Sequence, residues 1–187
     1  RLCAGHAGPT LSGGAEHVRI ARICERIARA GSGHDRKERA RAALELLAEE
    51  TCARAGFLYY ATPDGPVVVA AIGPEQTPPP SLDAMVRDYI AAQIGDHGSS
   101  TAATTQQGAR SRSPRLGALL YRPVLLSHYV TQAFAITGLA AFAMQPDEPF
   151  AYPGDAAAQL SELVAKLGDV TPLIVSEHGA KAVTANR

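Results

Sequence analysis

A chain of 187 residues, 46% hydrophobic and 19% charged, has the composition of a folded protein and enough length to bury a real core. Its 18 basic and 18 acidic residues cancel, the aromatic fraction is 5%, and Trp is absent, so neither a basic excess nor a stacking surface recruits nucleic acid or an anionic membrane. Cys3, Cys24 and Cys52 are widely spaced and outside any CxxC, which argues against a disulfide framework or a zinc site and points to reduced thiols in the cytoplasm.

The longest apolar stretch, Ala133 to Met144, falls short of the about 20 residues that a membrane-spanning helix needs. No basic-then-apolar leader opens the chain, and a start at Arg1 reads as a piece of a longer polypeptide.

In chain order, residues 1–14 are rich in Gly, Ala and Pro and read as a linker. Residues 15–34 hold a flanking helix, Glu16 to Arg29, with Ile20, Ile23, Cys24 and Ile27 on one face, broken at Gly31-Ser32-Gly33. A second helix is expected from Asp35, as N-cap, to Ala55. Its stripe is Ala40, Ala43, Leu44, Leu47 and Thr51, with Gly56 as the stop.

The β-rich runs Phe57 to Ala61 and Val67 to Ile72 flank Thr62-Pro63-Asp64-Gly65, a turn in which Pro presets φ and Gly supplies the left-handed position. After a proline-rich loop, Ser81 is expected to cap a third helix with Leu82, Met85, Val86, Tyr89 and Ile90 on one face, ended by Gly95. Ser99 to Gln106 reads as a weak strand and Gly108 to Pro114 as a basic loop.

A late hairpin joins Leu116 to Leu126 with Phe134 to Met144, and His128 and Tyr129 are expected in its turn, facing solvent. Pro123 has no N–H for a ladder and needs a bulge or an unpaired position. Gly138 implies a bulge or a close backbone approach. A last helix runs from Asp155 to Leu167, with Leu160, Leu163, Val164 and Leu167 inward. Residues 171–187 show no period and read as a tail. Hairpins with helices gathered beside them make an α+β fold with an antiparallel sheet.

Five local patterns then fall in a telling order: Ala55-Gly56-Phe57-Leu58-Tyr59-Tyr60 after a helix; Pro63-Asp64-Gly65; a strand ending at Gly73; the Pro123 and Gly138 strands; and Pro149-Phe150-Ala151-Tyr152-Pro153-Gly154-Asp155 before the last helix. Together they resemble the GAF domains, the small-molecule-sensing and dimerising modules of signalling proteins, over residues 35–170. The resemblance implies a sheet with helices packed on one face and a ligand-sized pocket on the other. It implies a non-catalytic regulatory role beside an output domain. The Ile20, Ile23, Cys24 and Ile27 stripe must be buried, either by folding back on its own domain or, as flanking helices of such modules commonly do and as is expected here, by pairing with its copy and the last helix in a homodimer.

The departures limit what carries over. The Asn-Lys-Phe-Asp-Glu set of cyclic-nucleotide binders has no counterpart here, and the cysteines lie where neither bilin attachment nor methionine sulfoxide reduction uses them. The sequence therefore names no cofactor. A closed-pocket interaction or dimerisation module and a thiol-based redox enzyme of the same fold are the alternatives.

Four side chains stand as candidate ligand contacts. His97 follows the third helix, where the resemblance places a lid over the pocket. Thr104 lies in the Thr-rich run, where β-branching explains it equally well. Arg115 closes a basic loop that no carboxylate dilutes, and Tyr121 lies on the strand bearing Pro123. Elsewhere the chemistry reads as structure. His34-Asp35 is a helix start rather than a phosphoacceptor box, and the Arg-rich faces of the first two helices find Glu25, Glu38 and Glu45 at pairing distance. No HxH, HExxH, GxSxG, P-loop or GxGxxG is present. Cys24 and Cys52 are expected to be structural thiols.

Overall fold

The structure, a computed structural model, describes residues 22–23, 25–97, 115–116, 119–131, 133–176 and 179–182. Residues 22–23 and 25–31 are helical (α1). There follow α2 (Arg36–Thr51), β1 (Ala55–Thr62), β2 (Gly65–Ile72), α3 (Pro80–His97), β3 (Arg115–Leu116), β4 (Leu119–Val130), β5 (Ala133–Met144), α4 (Gly154–Lys166), β6 (Leu173–Ser176) and β7 (Gly179–Ala182). The weak strand expected at Ser99 to Gln106, the basic loop, and Cys3 and Cys24 lie outside the described residues.

The start of α2 follows the sequence. The Asp35 side chain accepts from the Glu38 N–H at 2.7 Å, answering one orphan donor of the helix, and the Glu38 carboxylate accepts at 3.0 Å from the N–H of His34, the residue just ahead of the cap. Its end does not. The helix stops at Cys52, which takes the left-handed conformation at φ 62°. The Cys52 N–H bonds the Glu49 carbonyl and the Ala53 N–H the Ala48 carbonyl, the double closure that glycine usually makes. Cys52 is thus an exposed thiol at a cap, not a residue of the helix interior.

The strands form one antiparallel sheet in the order β2-β1-β5-β4-β3. Around Pro63-Asp64 the register closes as Thr62 opposite Gly65, as the turn residues require. The inner strand β5 gives one edge to β4 and divides the other, with Gly138 to Ala143 along β1 and Phe134 to Ile136 along β6. Residues 171–187 are therefore not a featureless tail, because β6 and β7 within them extend the sheet as a hairpin.

Two irregularities shape the β4–β5 hairpin. The register shifts between Leu126 and Ser127, leaving Thr137 as an extra residue on β5 and turning Gly138 toward β1. Pro123 sits opposite Ala141 without a bulge of its own. Beyond Leu120 the outer side of β4 carries no strand among the described residues, so no ladder there asks Pro123 for an N–H. The turn lies past Val130, so His128 belongs to β4 and is half-buried, while Tyr129 is exposed.

Alternation along β1 sorts the core into two layers. Leu58 and Tyr60 pack with Ile23, Ile27, Leu44, Leu47, Leu160 and Val164 under α1, α2 and α4. Phe57, Tyr59 and Ala61 pack with Leu82, Val86 and Ile90 of α3. The α+β class holds, but helices lie on both faces rather than one. Burying each such aliphatic side chain is worth about 1.5–3 kcal/mol, which is what holds α3 down. That helix begins at Pro80, whose missing N–H costs nothing in a first turn, and it passes through Gly95 to end at His97.

Candidate functional site

Among the described residues, the face under α3 is packed with side chains. From the sheet, Tyr59, Tyr121, Ile136 and Leu139 reach it, and from α3 Leu82 and Val86, each at most 2% exposed. The Tyr59 hydroxyl donates to the Asp83 carboxylate at 2.9 Å, tying β1 to the first turn of α3. Burial, then that bond, raises the Tyr59 pKa well above its ordinary value, so the phenol stays protonated. Burial likewise raises that of Tyr121.

The four candidate contacts are not gathered into a site among the described residues. Tyr121 lies in this packed layer as a core residue. His97 ends α3 and Arg115 opens β3 opposite Leu120, so for these two the backbone position alone is described. Thr104 lies outside the described residues.

A polar cluster occupies the opposite face. Arg39 on α2 grips Asp169, just past α4, through both carboxylate oxygens, with Nε to Oδ2 at 2.9 Å. Its Nη1 also donates to the Gly33 carbonyl at 3.0 Å. Asp169 is only 4% exposed, so this fork answers a charge that water cannot reach. The bond to Asp169 raises the Arg39 pKa. Beside it the Tyr60 hydroxyl is buried without a hydrogen-bond partner among the described residues. The Arg36 guanidinium lies 5.1 Å from the centre of the Tyr60 ring. Burial, reinforced by Asp169 and opposed by Arg36 and Arg39, pushes the Tyr60 pKa up to about 12.

Where α4 crosses β4, His128 Nδ1 stands 2.8 Å from Ser161 Oγ, and Ser161 Oγ 2.8 Å from Thr137 Oγ1. Among the described residues this is the nearest approach to a nucleophile with a base. Ser161 is fully buried and its oxygen is engaged on both sides, so it cannot meet a substrate.

An open cleft of about 410 Å³ runs between α2 and the end of β2, with Ala48 and Ile72 among its lining and Arg41, Glu45, Glu49 and Gln76 at its polar side. Arg41 and Glu45 pair with each other at 2.9 Å there. Among the described residues no three His, Cys, Asp or Glu side chains gather as metal ligands, and no helix is long and apolar enough to cross a membrane.

Sequence spacing missed both polar clusters for a physical reason: Arg39 and Asp169 are 130 positions apart, and Thr137 and Ser161 are 24 apart on different element types. The one usable signal was a Ser on the inner side of an otherwise apolar helix stripe. No protein-family model matches the chain, and no curated protein matches it.

Proposed function

We propose that the chain is a non-catalytic regulatory module of GAF-like build, closed to ligand on the face under α3, that works through contacts with a neighbouring output domain. The observation that carries this reading is the layer of Tyr59, Tyr121, Leu82 and Leu139, packed without exposure where a ligand would lie. It favours the closed interaction module over the ligand sensor. Signalling then runs by population shift: a partner that prefers one arrangement of the helices biases the neighbour to which they connect. Ile23 and Ile27 lie inside the chain's own core, which favours the flanking helix folding back on its own domain over its stripe pairing with a second copy.

Titration with cyclic GMP and cyclic AMP, followed in 1H–15N spectra, tests the proposal. The amides of Phe57, Tyr59 and Tyr121 should stay unmoved. Saturable shifts at these positions would restore the sensor reading.

A further inference from the structure

Three side chains from three elements meet in one line under α4. His128 Nδ1 lies 2.8 Å from Ser161 Oγ, that oxygen 2.8 Å from Thr137 Oγ1, and Thr137 Oγ1 3.3 Å from the Leu126 carbonyl oxygen. Ser161 and Thr137 are fully buried, so the groups must satisfy one another. Each hydroxyl has one proton to give, and a carbonyl can only accept.

All three contacts are hydrogen bonds only if Thr137 donates to Leu126, Ser161 donates to Thr137, and a protonated Nδ1 donates to Ser161. In the reverse direction the Thr137 proton goes to Ser161 and the Leu126 contact is lost. The two directions are therefore unequal, three bonds against two.

We propose that this one-way chain holds His128 as its Nδ1–H tautomer and makes it an acid-sensitive latch between α4 and the β4–β5 hairpin. The bulge at Thr137 is what makes the latch possible, since it turns an extra hydroxyl toward α4.

With Nδ1 committed as a donor, a further proton can enter only at Nε2. It leaves the chain intact but places a cation on a half-buried ring. Among the described residues the charges facing it are Glu162 and Lys166 on α4, and these pair with each other at 2.6 Å. From β5 the residues beside it are Ala135, its register partner, and Thr137, neither of them charged.

Burial lowers the His128 pKa from its ordinary 6.5, with Glu162 opposing and Lys166 adding. A folded pKa below the unfolded one means that folding favours the neutral ring: this stabilisation is complete above the unfolded value and is lost as pH falls through the folded one, the three bonds remaining made while the cost of charging a half-buried ring offsets them.

Long-range 1H–15N imidazole spectra at about pH 8 test the tautomer. Nδ1 should carry the protonated, pyrrole-type signal and Nε2 the bare one, and Ser161→Ala should shift the ring toward the Nε2–H form. An Nε2–H ring in the unaltered protein would overturn the assignment. For the latch, the unfolding midpoint is compared between about pH 7.5 and pH 5.5 with that of His128→Asn, whose amide keeps a donor near the Nδ1 position but cannot titrate. The unaltered chain should lose more of its midpoint on acidification, and α4 amides should exchange faster once intrinsic rates are removed. Equal losses with unchanged α4 exchange would overturn it.

Discussion

Gly138 lies directly against the backbone of Tyr59: a Cβ built on it would run into the Tyr59 carbonyl oxygen. The bulge at Thr137 brings this about by rotating Gly138 sideways, toward β1 instead of into either core layer. Backbone, unlike the end of a long side chain, cannot step aside.

Gly138→Ala should therefore cost about 1–3 kcal/mol in urea unfolding, the usual range for overpacking. Gly154→Ala is the control, since its Cβ would meet nothing nearer than the Tyr152 ring at 3.6 Å. Equal midpoints for the two variants would show that the two strands separate easily at that point.

Cys52 holds a left-handed cap that costs a residue with a Cβ about 1 kcal/mol. Cys52→Gly should raise stability by up to about that amount, and Cys52→Ala should gain nothing. The exposed thiol of the native protein should be modified by a thiol reagent without prior unfolding. A thiol modified only on unfolding, or a destabilised glycine variant, would contradict the cap geometry.

The Tyr60 hydroxyl has lost its water without gaining a partner among the described residues. Tyr60→Phe should be neutral or stabilise by about 1 kcal/mol, the reverse of the usual result for a buried tyrosine. The pH dependence has a definite sign. The folded pKa of about 12 exceeds the ordinary 10, so the contribution of the neutral phenol is complete below pH 10 and is lost as pH rises through 12. Unfolding midpoints measured in alkali should fall more steeply for the native chain than for Tyr60→Phe.

Ile23 and Ile27, 4% and 8% exposed, are buried within their own chain. Ile23→Glu should thus destabilise by about 3 kcal/mol or more, through a buried unpaired carboxylate, at any protein concentration. An effect that fades on concentrating the protein would show that the stripe packs against a second copy.

The stripe of α2, the Pro63-Asp64 turn and the crowding at Gly138 were legible because each depends on spacing or on one residue's backbone freedom. The α4 stripe was legible only in part: Leu160 and Val164 are buried and Leu163 partly so, but Leu167 falls at the cap, past the last helical turn, and is exposed. The placement of α3 was not. A period at Leu82, Val86 and Ile90 says that one side is buried, but not against which face of the sheet. Residues Leu173 to Ser176 are too few to show alternation, and they became a strand only because β5 outruns β1 and leaves Phe134 to Ile136 unpaired. Cys52 at a left-handed cap runs against residue preference, and the Arg39–Asp169 clamp joins two distant ends of the chain. Tertiary contact decides both.

The closed face under α3 is tested most directly with xenon, which enters dry apolar cavities without needing a polar contact. Methyl spectra of the native chain under xenon should show no saturable shift at Leu82, Val86, Leu139 or Ile136. Val86→Ala, which opens a small void in the same layer, provides the positive control. Saturable xenon shifts at these methyls in the native chain would reveal an open pocket and contradict the account.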